Sequence, residues 1–121
     1  MRTGVIIFGH GSKAPAAMEM LTAIRDMVQP AAGVEAVTVA AMQFNRPDLA
    51  EAIQDLVAKG MEKIIVVPFF LYFGVHMQED IPALLAEERR KYPGVEIVLT
   101  DNLGPDPRLA EIVLERIRAA C

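Results

Sequence analysis

Four short apolar runs, rich in β-branched residues, recur along the chain: Thr3 to Phe8, Glu35 to Met42, Lys63 to Phe69 and Val95 to Thr100. None alternates polar with apolar side chains, as a strand with one wet face does, so the pattern predicts strands covered on both faces. Between them lie segments of helical period. Met18, Leu21, Ile24, Met27 and Val28 share one stripe, and Leu49, Ile53, Leu56 and Val57 share a second. Ile81, Leu84 and Leu85 form the apolar side of a third segment, with Glu87 to Lys91 as its wet side. Leu109, Ile112, Val113 and Ile117 repeat the period a last time. Strands and helices that alternate through short loops imply a doubly wound α/β domain with a parallel four-stranded sheet and right-handed crossovers.

The punctuation agrees. Pro47, Pro82 and Pro107 stand where first helical turns are expected, and Asp106 is a good N-cap for the last helix. Gly33, Gly60 and Gly94 sit where helices should stop. At 121 residues, 53% of them hydrophobic, the chain fits one domain over 1–121 with a well-filled core. The longest near-apolar run, Ile64 to Val75, is broken by Pro68 and Gly74 and is too short to span a bilayer. Only Val5 to Phe8 precede Gly9 and His10, too little for a secretory segment, so a cytoplasmic location is the expectation. A net charge of −4 and the absence of tryptophan argue against nucleic acid or an anionic membrane as the main partner. Cys121 is the lone cysteine and has nothing to pair with in the chain.

In open α/β sheets, ligands sit at the carboxyl ends of the strands. Gly9-His10-Gly11-Ser12 follows the first run there, and Phe73-Gly74-Val75-His76 follows the third. In a flavodoxin-like strand order these two strands are neighbours, which puts both histidines of the chain on adjacent loops. A single histidine is more often structural than functional. A pair at one ligand edge, each near glycine, is a better candidate, because neutral imidazole binds divalent cobalt, nickel, iron and zinc. Two ligands fall short of a closed structural site and suit a metal that is passed on. Glu79 and Asp80 follow His76 by three and four residues. Either can serve as a proton acceptor or orient an imidazole, although acidic residues also favour first helical turns and Asp80 can be a cap. Ser12 and Lys13 can help backbone N–H groups cradle an anion, but the spacing is not that of a P-loop. Pro68 to Phe73 offers an apolar wall for a flat macrocycle, or equally core and subunit interface. Ser12 lacks the G-x-S-x-G elbow of a nucleophilic serine.

The ordered set of Gly9-His10-Gly11-Ser12, Val66-Val67-Pro68-Phe69-Phe70-Leu71, Gly74-Val75-His76, Asp80-Ile81-Pro82 and Leu103-Gly104 before Asp106-Pro107 resembles the short CbiX-type sirohydrochlorin chelatases, over essentially the whole chain. The resemblance implies half of a class II chelatase, a lyase whose short forms pair as homodimers around the tetrapyrrole. It implies insertion of cobalt foremost, or nickel or iron, into sirohydrochlorin, with the metal as substrate and no organic cofactor. By the same resemblance His10 and His76 hold the metal; Gly11, Ser12, Lys13, Gln43, Arg46, Phe73, Gly74 and Val75 are our expectation for the substrate edge. Gln43 stands where many members carry a glutamate and cannot take a pyrrole proton, so the catalytic candidates for that step are Glu79, a histidine or water. The alternative is a metal or tetrapyrrole carrier without turnover.

Overall fold

The computed structural model describes residues 1–121 as eight alternating elements: β1 (Thr3–Gly9), α1 (Ala16–Ala32), β2 (Ala36–Ala41), α2 (Leu49–Ala58), β3 (Lys63–Pro68), α3 (Met77–Lys91), β4 (Glu96–Leu99) and α4 (Pro107–Ala120). All strand pairs are parallel, and the order is β2-β1-β3-β4. This is the expected doubly wound arrangement. β1 lies in the middle because it can be buried on both sides: all its residues after Thr3 are buried. β1 and β3 are neighbours in register, Phe8 opposite Pro68, so the loops that leave them emerge side by side.

The sheet's two faces are unequal. On one, Ile6, Phe8, Ile64, Val66 and Ile97 join Leu49, Ile53 and Leu56 of α2 and Ile81 and Leu85 of α3 in a cluster of 14 buried residues. Each large side chain fully buried there contributes about 1.5–3 kcal/mol. On the other, the cluster has 4 members, Val5, Ile7, Val37 and Leu21 of α1. Only the first face meets the expectation of full cover. On the second, α1 packs on β2 and β1, and Ile65, Val67 and Val98 of β3 and β4 are left half-buried.

Local details differ from the sequence reading in three places. The first turn of α2 begins after Asp48, not at Pro47. The Asp48 side chain accepts the Glu51 N–H while the Glu51 side chain accepts the Asp48 N–H, a reciprocal cap that outcompetes proline as a start. Pro82 lies inside α3, because that helix already starts at Met77. Glu88, placed on the wet side by sequence, is buried: it continues the stripe of Ile81 and Leu85, and the Lys91 ammonium meets its carboxylate at 3.1 Å. By contrast, α4 starts as expected, with Asp106 capping the Arg108 N–H and Pro107 in the first turn. Gly33 ends α1 in the left-handed conformation. No helix is long and apolar enough to cross a membrane.

Candidate active site

The loop after β1 is interlocked with the loop after β2 through backbone. The N–H groups of Met42 and Gln43 donate to the carbonyls of Gly9 (2.8 Å) and His10 (3.2 Å). Ser12 N–H donates to Asn45 Oδ1 at 2.8 Å. Gly11 sits between them at φ 79°, and a methyl placed on it would lie 1.9 Å from the Gln43 carbonyl oxygen. Only glycine fits there. The Ser12 hydroxyl oxygen accepts the Ala14 N–H at 3.0 Å, closing a local turn. The anion cradle expected at Ser12 and Lys13 is thereby reduced: the Ser12 N–H is committed to Asn45, and the Lys13 ammonium stands 5.5 Å from the centre of the Phe44 ring. Phe44 itself has φ 71° and is exposed, an arrangement that costs a non-glycine residue about 1–2 kcal/mol.

His10 is exposed, and aromatic edges brace it from below. Its ring meets Phe70 edge-on at 5.0 Å and 88°. Phe70, 6% exposed, is in turn edge-on to Phe8 at 5.9 Å and to Phe73 at 6.0 Å. Such contacts are worth about 0.5–1.5 kcal/mol beyond burial and fix ring directions. The imidazole is thus carried from the core to the surface on a rigid stack. It opens onto a cleft of about 420 Å³ lined by His10, Phe69, Phe70, Leu71, Tyr72, Gly74 and Met77. The aromatic run was expected either as wall or as core, and it divides: Leu71 and Tyr72 are exposed on the cleft, Phe70 is buried in the core beneath it, and Phe73 is half-buried against that core.

His76 immediately precedes α3, exposed, with helical φ and ψ and no capping hydrogen bond from its side chain. Its carbonyl accepts the N–H groups of Glu79 (3.2 Å) and Asp80 (2.9 Å). Asp80 is therefore no cap; it and Glu79 are exposed in the first turn of α3. Gly74 lines the cleft and Met77 does too, whereas His76 and the exposed Val75 lie beside it without lining it. No group of three or more His, Cys, Asp or Glu side chains converges anywhere in the chain. A metal held by this chain alone would keep open coordination positions.

Gln43 and Arg46 fall in a separate, shallower cleft of about 490 Å³ with Met42, Phe44, Asn45, Asp48 and Glu51. Arg46 is not a free cation. Its guanidinium binds Glu51, with Nε 2.9 Å from Oε2. That hydrogen bond, followed by the one from the Asp48 N–H, holds the Glu51 carboxyl below the usual carboxylate range, and the same pair raises Arg46. Among the residues that sequence reasoning missed, Asn45 is the clasp between the two loops, and Phe70 is the brace of His10. The hydrophobic pattern marks Phe70 as apolar, but nothing in it reveals an edge-on contact to a loop histidine.

The CbiX family model matches residues 4–120. A sirohydrochlorin cobaltochelatase of Methanothermobacter thermautotrophicus is 40% identical over 134 aligned residues, covering 98% of this chain and 93% of its own. One of Methanopyrus kandleri is 36% identical, with 96% and 95% covered. Among solved structures, a cobalamin biosynthesis CbiX protein from Marinobacter aquaeolei VT8 has TM-score 0.79 at 26% identity, covering 98% of this chain and 96% of that one. The sirohydrochlorin chelatase SirB from Bacillus subtilis subspecies spizizenii, solved with cobalt, has the same fold at TM-score 0.91 and 23% identity, and this chain spans 51% of it.

Proposed function

The chain belongs to the CbiX family, and from that premise we propose that it is a sirohydrochlorin chelatase with cobalt as the inserted metal. The relatives that support the metal are named cobaltochelatases. The observation that carries the reading is His10, an exposed imidazole braced by Phe70 in the wall of an apolar cleft. A flat macrocycle can be desolvated against Leu71 and Tyr72 while the imidazole faces it.

In this reading His10 and His76 take the divalent ion as substrate, replacing part of its water shell, and present it to the ring nitrogens. Two pyrrole protons must leave as the metal enters. Gln43 cannot accept them; Glu79, exposed one turn after His76, takes them one at a time and passes each to solvent water. Lys13 over Phe44, the Gly11 and Ser12 backbone, Arg46 and the Phe73-Gly74-Val75 loop form the edge that meets the ring and its carboxylates. A second copy of the chain completes the enclosure. The enzyme needs no organic cofactor and works in the cytoplasm.

Following cobalt entry into sirohydrochlorin by absorption, with tetrapyrrole in excess over protein, tests the reading. Many turnovers per chain are expected. Uptake that stops at one equivalent would instead establish a carrier, the reading that Gln43 favours.

A further inference from the structure

The His10 loop stands between two clefts of opposite character. On its β3 side lies the apolar one, walled by Phe69 to Tyr72. On its β2 side, in the strand order β2-β1-β3, lies the cleft of about 490 Å³ whose lining, Met42 and Phe44 apart, is polar. Backbone holds this cleft against the loop, because the Met42 and Gln43 N–H groups donate to the Gly9 and His10 carbonyls. A ring seated on the apolar cleft and facing His10 therefore brings its periphery toward the polar one. Neighbouring strands are about 4.8 Å apart. Sirohydrochlorin carries acetate and propionate arms around its rim, and an arm of two or three carbon–carbon bonds of about 1.5 Å each covers most of one strand spacing.

The acids of the polar cleft are spent inward, and its donors are not. Asp48 Oδ1 accepts the Glu51 N–H at 2.8 Å, while Glu51 accepts the Asp48 N–H at 3.0 Å and the Arg46 guanidinium. That pair uses only one edge of the guanidinium: Nε and Nη2 both donate to Glu51 Oε2. Nη1 and the second hydrogen of Nη2 remain unspent, on a side chain 85% exposed. Beside it Gln43 is exposed, with its backbone committed, the N–H to His10 and the carbonyl packed against Gly11. Its side-chain amide is left for the cleft. Lys13, over the Phe44 ring, adds a second cation at the rim.

We propose that this cleft is a subsite for one peripheral carboxylate of the tetrapyrrole, bound by the outer edge of the Arg46 guanidinium and by the Gln43 side-chain amide. The inference rests on the proposed function for the ring and its seat, and it gives Gln43 a task that the reading leaves it without. A glutamine cannot take a pyrrole proton, but its amide donates to a carboxylate. A glutamate there would repel that carboxylate and draw Arg46 to itself. Arginine suits the place because its planar fork holds Glu51 on one edge and can hold a second carboxylate on another.

Titration of metal-free sirohydrochlorin onto the full chain, followed by absorption, tests the subsite in wild type, Arg46→Ala, Arg46→Lys, Gln43→Leu and Gln43→Glu, with circular dichroism to check each fold. Arg46→Ala should raise Kd about tenfold or more and flatten its dependence on salt. Arg46→Lys, which keeps a cation beside Glu51 and loses the fork, should recover only part of that loss. Gln43→Glu should weaken binding more than Gln43→Leu, an order that follows from charge and not from packing. A wild-type Kd in Arg46→Ala overturns the subsite. So does a Gln43→Glu chain that binds as tightly as the wild type with a faster kcat, because position 43 would then serve proton removal. Unchanged Kd values alongside cobalt turnover in the wild type would strike the subsite alone, and the expected Kd series without turnover would strike the chelatase reading alone.

Discussion

Gly11 and Gln43 meet backbone to backbone, so closely that a single methyl on Gly11 would overlap the Gln43 carbonyl oxygen at 1.9 Å. That contact registers the histidine loop against the loop carrying Gln43, Phe44 and Asn45. Gly11→Ala must both adopt φ 79° and push that carbonyl away. A loss of at least about 2 kcal/mol in denaturant unfolding is expected. Asn45→Ala removes only the acceptor for the Ser12 N–H and should cost about 1 kcal/mol. Equal stability of Gly11→Ala and wild type would contradict the packing described.

Phe44 holds a left-handed conformation with most of its ring in solvent, so its geometry serves no core. Phe44→Gly relieves the backbone cost but gains unfolded-state entropy, two opposing effects of about 1 kcal/mol each. Stability should stay within about 1 kcal/mol of wild type while KM for the tetrapyrrole rises. A destabilised variant with unchanged KM would assign Phe44 to folding instead.

The strands were legible because β1 and β3 are uninterrupted apolar runs, and the last helix because Asp106 and Pro107 mark its start. Other features are set by partners distant in sequence. Glu88 reads as solvent-facing until Ile81 and Leu85 are seen to share its stripe. Gly11 reads as one flexible loop glycine among several until the Gln43 carbonyl is placed against it. The period of α4 predicts an apolar face correctly and is silent on what covers it. Residue type nominated His10 and His76, whereas the brace beneath His10 comes from Phe70 through β1–β3 pairing.

Phe70 joins Phe8 in the core to His10 at the surface. Phe70→Ala should cost about 3–5 kcal/mol, too much to isolate its effect on the site. Phe70→Leu keeps most of the burial and loses the edge-on contact. It should remain folded and show a lower kcat for cobalt insertion, with KM little changed. Unaltered kcat in a folded Phe70→Leu would mean that His10 needs no brace.

The Asp106 carboxyl is held well below the usual carboxylate range, first by the Arg108 side chain and then by the Arg108 N–H. A carboxyl lowered on folding adds stability that is complete above its unfolded pKa and is lost as pH falls through its folded one. Protection of the α4 amides should therefore hold at neutral pH and decline below about pH 4. In Asp106→Asn, which can still accept the Arg108 N–H, hydrogen exchange across this range should lose part of that dependence. An identical pH profile in both proteins would remove Asp106 from the account.

The chelatase reading depends on two imidazoles that come from different loops, one after β1 and one at the start of α3. Initial rates of cobalt insertion into sirohydrochlorin, at fixed free cobalt, are the direct measurement for wild type, His10→Ala and His76→Ala. Both variants should fold like the wild type, since both side chains are exposed, and both should lose at least about a hundredfold in rate, the scale of effect expected when a positioning or metal-holding group is removed. Wild-type rates in both would contradict the account.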